Sequence, residues 1–169
     1  MAEDRPLLWP TIGTVLFVLC VPGSVVVAVP YYLSRWTLQP PFFGVAATRW
    51  IGLTLIVCAL PIFFDFVVRF VAEGRGTPAP IAPTQHLVVQ GTFGYVRNPG
   101  YIAVVALILG QALVFGSVSV LLYTLAVALA FHFFVLLYEE PTLRRQFGPE
   151  YEAYCRKVPR WRPRLRSSD

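Results

Sequence analysis

Apolar stretches long enough to cross a bilayer recur along this chain, and they restrict it to a bundle of membrane helices whose backbone polar groups are satisfied within each helix. The runs extend from about Thr11 to Leu33, Thr48 to Val71, Tyr101 to Phe115 and Val118 to Tyr138. Pro22 and Pro30 interrupt the first run, which a membrane helix tolerates when neighbouring groups bond the freed carbonyls. A cleaved signal core is the competing assignment for that run. The run is longer than such a core, however, and its only early cation, Arg5, lies beside Glu3 and Asp4. Hydrophobic residues make up 56% and charged residues 14% of the 169 positions, in keeping with an integral membrane protein. The expected fold is therefore all-α: a polytopic bundle of about four transmembrane helices, followed by a C-terminal amphipathic helix on the cytoplasmic side.

The cations orient the bundle. Arg69 at the end of the second run and Arg75 and Arg97 between the second and third lie on one side, and eight cations follow the fourth: Arg144, Arg145, Arg156, Lys157, Arg160, Arg162, Arg164 and Arg166. The turn near Gly116 to Ser119 carries no charge, so both termini are expected in the cytoplasm, with the bundle in a cell inner membrane or an endomembrane. Arg35 and Arg49 in the first connection oppose this only weakly. The net charge of +5 reads as topology and contact with anionic lipid rather than nucleic-acid binding, because the cations adjoin a span and no stacking platform accompanies them. Cys20, Cys58 and Cys155 are scattered and His86 and His132 are isolated, so neither a metal site nor a disulfide framework is expected.

Two polar clusters stand out against this background. One is the loop Gly91-Thr92-Phe93-Gly94-Tyr95-Val96-Arg97-Asn98-Pro99-Gly100-Tyr101, and the other is the pair Glu139-Glu140. A helical hairpin turning at Gly116-Ser117 returns both to one side of the membrane. Upstream, the glycines and prolines from Glu73 to Thr84 make a loop, and Leu87-Val88-Val89 is a short apolar piece that lies on the surface or covers a pocket. Gly91 and Gly94 let the backbone approach a neighbour closely, and Pro99 suits a helix start whose free amides, with Arg97, favour an anionic group. Taken singly, Arg97 is an ordinary anchor, Tyr95 and Tyr101 interfacial aromatics and Pro99 a helix starter. Adjacent carboxylates at the end of an apolar helix are harder to explain away, because they repel and lose hydration unless a cationic ligand or nearby arginines compensate. His132 and Gln111 read as interhelical hydrogen-bonding groups, and Asp65 with Arg69 as an i, i+4 ion pair.

After the last run, Leu143, Phe147, Tyr151, Tyr154 and Val158 form one apolar stripe on a charged segment, restarted at Gly148-Pro149. The stripe fits a surface-lying helix, and Tyr151 and Tyr154 make that helix a candidate lid over the polar cluster. Pro159 to Pro163, with Arg160, Trp161 and Arg162, reads as an interfacial anchor.

Together the Gly91 to Tyr101 loop, Glu139-Glu140, Leu143, Phe147-Gly148, Tyr151, Tyr154 and Val158-Pro159-Arg160 resemble the cofactor-binding half of the isoprenylcysteine carboxyl methyltransferase and phospholipid N-methyltransferase superfamily. The resemblance spans roughly residues 75 to 163. The family's loop runs Arg-His-Pro-x-Tyr and its paired glutamates follow a helical hairpin. Arg97, Pro99, Tyr101, Glu139 and Glu140 match, whereas Asn98 stands where the histidine is usual. The resemblance implies an integral-membrane methyltransferase that uses S-adenosylmethionine, with a substrate-side region of two spans (1–72) and a cofactor-binding region (73–169). It places the cofactor against Gly91, Gly94, Tyr95, Arg97, Asn98, Pro99, Tyr101, Glu139 and Glu140, with Arg97 and Glu140 as positioning residues. Arg97 and the amides near Pro99 suit the methionine carboxylate, and Glu139 or Glu140 the ammonium or ribose hydroxyls. The acceptor is a lipophilic or amphiphilic molecule reached from the bilayer: a prenylated protein, a phospholipid amine, or a small acid or thiol. Two other classes share the spans. A non-catalytic scaffold has no need of the matched polar clusters, and a small transporter is expected to show internal repeats, which are not seen here.

Overall fold

The computed structural model of the chain describes residues 20–72 and 87–164. The start of the first apolar run, the loop expected at Glu73 to Thr84 and His86 lie outside these residues. Among the described residues every regular element is helical. Four apolar helices follow in order: α1 (Cys20–Ser34), α2 (Ala47–Ala72), α3 (Pro99–Phe115) and α4 (Val118–Phe147). A short helix, α5 (Pro149–Lys157), comes next. The Ala47–Arg69 part of α2 and the whole of α4 are long and apolar enough to cross a membrane, while α1 and α3 are shorter apolar helices.

Close backbone approach joins α2 to α3. A Cβ at Gly52 would lie 2.6 Å from the Gly110 carbonyl, and one at Gly110 would lie 2.6 Å from Ile56 Cγ1. Helices that share an apolar solvent gain association energy from dispersion at such small-residue contacts. Helix α3 then turns into α4 through Gly116, and Val104, Ile108, Ala112 and Val120 form the core between them. Val25 and Val26 of α1 pack onto that core.

Proline chemistry shapes both ends of the bundle. In α1 a π turn spans Ser24–Ala28, ahead of Pro30, whose missing N–H leaves the Val26 carbonyl without its helical donor. Gln111 Nε2 of α3 supplies that bond at 2.8 Å, and the Tyr123 hydroxyl of α4 donates to the Val25 carbonyl at 3.1 Å. The interhelical role expected of Gln111 is thus a specific repair. A second π turn, Val135–Glu139, precedes Pro141 in α4, with the Glu140 N–H reaching back to the Val135 carbonyl. The widened turn shifts the register between His132 and Glu139, which the regular helical spacing would put on nearly one face.

Outward-facing large apolar residues remain uncovered on both long helices, including Trp50, Val57, Phe64 and Val68 on α2 and Leu122, Leu125, Phe133 and Leu137 on α4. Apolar surface of this extent, repeated at helical spacing, is suited to contact with hydrocarbon. The chain is accordingly membrane-associated.

Candidate active site

The site begins with an anchor at the end of α2. Asp65 accepts from Arg69 Nε at 2.8 Å through one oxygen and from the Thr92 amide at 3.0 Å through the other. The expected i, i+4 pair therefore also holds the turn Gly91–Gly94. Gly91 adopts φ +60°, and a Cβ there would lie 1.7 Å from Arg69 Nε. Gly91→Ala should displace Arg69 and strain the turn, lowering stability by about 1–2 kcal/mol. Thermal unfolding in detergent measures this, and an unchanged midpoint would show that the packing at Gly91 does not hold the loop.

The next residues strap the tail in place. The Arg97 amide donates to the Pro159 carbonyl at 3.0 Å, and the Arg164 amide to the Tyr95 carbonyl at 3.0 Å. Asn98 Nδ2 donates to the Arg160 carbonyl at 3.2 Å, and the Tyr154 hydroxyl to the Phe93 carbonyl at 2.8 Å. Asn98 is buried, so its amide spends its donor on the tail backbone. Helix α3 starts at once with Pro99 in its first turn, where a missing N–H costs nothing.

The strap delivers Arg160 to Glu140. Arg160 Nε and Nη2 donate to the two Glu140 oxygens at 2.6 and 2.8 Å, a bidentate pair, and Arg97 Nη1 lies 3.0 Å from Glu140 Oε1. These hydrogen bonds hold Arg160 above the ordinary arginine range, against the opposing effect of burial. Arg97 Nη1 also donates to Cys155 Sγ at 2.8 Å. Glu139 turns elsewhere, accepting from the Tyr101 hydroxyl at 2.8 Å. The two carboxylates thus take separate partners, Glu139 the Tyr101 hydroxyl and Glu140 the two arginines. Two guanidinium groups face the single carboxylate of Glu140. Arg97 Nε is buried without a hydrogen-bond partner, so these three residues carry one net positive charge and an unspent donor.

A cavity of about 60 Å³ lies beside this cluster, lined by Arg97, Asn98, Glu139, Glu140, Tyr151 and Tyr154 with apolar groups such as Val88 and Phe93. Tyr151 and Tyr154, with Val158, form a small core under Leu87, Leu143 and Phe147, so the apolar stripe of the tail is gathered at the cavity. Burial lifts both phenols above their ordinary range, which keeps them protonated donors at physiological pH.

Other sequence candidates sit elsewhere. The Tyr95 side chain is exposed, Gly91 abuts Arg69, and Gly94 and Pro99 are buried in the loop and helix start. Tyr101 reaches Glu139 with its hydroxyl while lining a second, larger groove. Sequence reasoning missed Arg160 as the partner of Glu140 and Cys155 as a neighbour of Arg97. Trp161, expected in an interfacial anchor, donates its indole N–H to His132 Nδ1 at 3.2 Å, a bond that sequence reasoning did not anticipate.

Apolar helices that carry a buried, charge-rich cavity at one end define a membrane protein with a built polar site. The family model for phospholipid methyltransferase (PEMT) matches residues 47–150, and the chain belongs to that family. The match runs from the start of α2 into α5 and includes Arg97, Glu139 and Glu140, so the protein is a methyltransferase by family. No curated protein and no solved structure matches the chain significantly.

Proposed function

We propose that the protein is an integral-membrane, S-adenosylmethionine-dependent methyltransferase acting on a lipophilic or amphiphilic acceptor. The observation that carries this reading is the Arg97, Glu140 and Arg160 cluster, whose surplus positive charge and unpartnered Arg97 Nε lie beside a cavity also lined by Glu139. The donor set fits the cofactor's amino-acid end. Arg97 suits the carboxylate, and the oxygen of Glu139 not bound to Tyr101 suits the ammonium or a ribose hydroxyl. S-adenosylmethionine supplies an electrophilic methyl on a sulfonium when bound. The residues orient and sequester it; no proton-shuttling triad is needed for in-line transfer.

A cavity of about 60 Å³ is well below the ~300–1,000 Å³ typical of ligand sites. Admission of the cofactor therefore requires α5 and the strap behind it to move outward, which is the lid role expected of Tyr151 and Tyr154. The single test of the reading is calorimetry with S-adenosylmethionine and S-adenosylhomocysteine on detergent-solubilised, folded protein. Saturable binding of both is expected, and its absence at millimolar concentration would falsify the enzyme assignment.

The same reading has α1 to α4 crossing the bilayer, with both termini and the Arg97 cluster on the cytoplasmic face. Cysteines introduced at Ser119, which is exposed in the first turn of α4, and at Ser167 should label from opposite sides of sealed vesicles. Labelling of both from one side would reject this topology.

A further inference from the structure

A second groove, of about 360 Å³ and lined in part by Tyr101, runs along α3 between α2 and α4. Its volume falls in the range of about 300–1,000 Å³ typical of ligand sites. Along α3 it is formed by Val105, Ala106 and Leu109, a half-buried face left between the neighbouring helices. No charged side chain lines it. Its polar groups gather where α3 begins, at Tyr101, His132 and Trp161.

That end is chemically defined. Trp161 Nε1 donates to His132 Nδ1 at 3.2 Å, so the neutral ring carries its proton on Nε2. Nε2 has no partner among the described residues, whereas the Tyr101 hydroxyl is committed to Glu139 at 2.8 Å. His132 thus presents one unspent N–H donor. The Tyr101–Glu139 bond links the groove lining to the small cavity.

We infer that this groove binds the hydrocarbon part of the methyl acceptor, and that His132, oriented by Trp161, is a positioning residue that donates a hydrogen bond to the acceptor's head. The occupant is a single-chain lipophile with a compact, hydrogen-bond-accepting head, not a diacyl phospholipid. A phosphate entering the groove would need cationic partners, and none lines it. The assignment of the occupant as acceptor rests on the methyl-transfer reading, whereas chain binding in the groove does not.

The test uses the full chain in nanodiscs of unbrominated phosphatidylcholine, titrated with dibrominated stearyl alcohol, with Trp161 fluorescence obtained by difference from Trp161→Phe. Saturable quenching is expected. Ala106→Phe, which fills the groove, should weaken it about tenfold or more, and Val105→Phe serves as a second filler where the first fails to fold. His132→Leu should weaken the alcohol about tenfold and His132→Gln, which keeps a donor, much less. A dibrominated alkane with no head should be insensitive to both histidine changes, an outcome that a merely structural role of His132 does not produce. The inference is overturned if quenching never saturates, if neither filler alters it, or if dibrominated phosphatidylcholine quenches more strongly and saturably than the alcohol. Calorimetry with S-adenosylhomocysteine on the same discs separates the two readings. Saturable quenching without cofactor binding supports the groove and rejects methyl transfer, and the converse rejects the groove alone.

Discussion

Reversing the charge at Glu140 (Glu140→Lys) should abolish S-adenosylmethionine binding, and Glu140→Ala should weaken it about a hundredfold. Glu140 is 5% exposed and accepts three contacts from Arg97 and Arg160, at 2.6, 2.8 and 3.0 Å. Its removal leaves two guanidinium groups facing each other with nothing between them. Breaking a buried pair by deleting one partner costs about 3–5 kcal/mol, and the lower end applies here because the Arg160 side chain is 30% exposed. Of that penalty, about 2.7 kcal/mol appearing in ligand affinity corresponds to a hundredfold loss. Calorimetry on the variants reads affinity, and a double-mutant cycle with Arg160→Gln separates the pair from its surroundings. Full affinity in Glu140→Ala would remove the cluster from the site.

The second large effect is expected from the double variant Tyr151→Ala with Tyr154→Ala. Both rings are buried, at 2% and 8% exposure, and they account for much of the small core that seats α5. Deleting large buried aromatics costs about 3–5 kcal/mol each, more than a helix of this length docked by one strap is expected to withstand. The tail should therefore undock while α1 to α4 remain folded. Limited proteolysis should cut after Phe147 far faster than in the parent protein, and cofactor affinity should fall by about ten- to a hundredfold. Membrane retention should be little changed, since the apolar faces of α2 and α4 are untouched. Tyr154→Phe alone loses only the bond to the Phe93 carbonyl, worth about 1 kcal/mol. If the double variant binds the cofactor as the parent does, α5 is no lid.

The polar residues at the helix ends were legible because they are expensive there. A carboxylate pair at the end of an apolar helix demands partners, either a cationic ligand or nearby arginines. The identity of the arginines was less legible. Arg97 belongs to a recognisable loop, but Arg160 reaches Glu140 only because Asn98 and the Arg97 amide bind the backbone at Arg160 and Pro159. No local pattern encodes ties across such a separation. Gly91 announced a close approach without naming the neighbour, which is Arg69 of the same protein. Pro30 marked an interrupted helix, yet the carbonyl bond supplied by Gln111 depends on how α1 and α3 pack. Trp161 fitted an interfacial aromatic so well that its bond to His132 had no signal of its own.

The strap also sets an order of manufacture. Asn98 is joined to Arg160 across 62 positions, and Arg97 to Cys155 across 58, with two apolar helices between them. A ribosome must therefore release residues as far as Arg164 before the loop at Tyr95 to Asn98 finds the backbone it binds. Until then the nascent chain has its apolar helices in place and Glu140 without Arg160. Residues synthesised late are therefore the ones that complete the site, through the two bonds from Arg160 to Glu140.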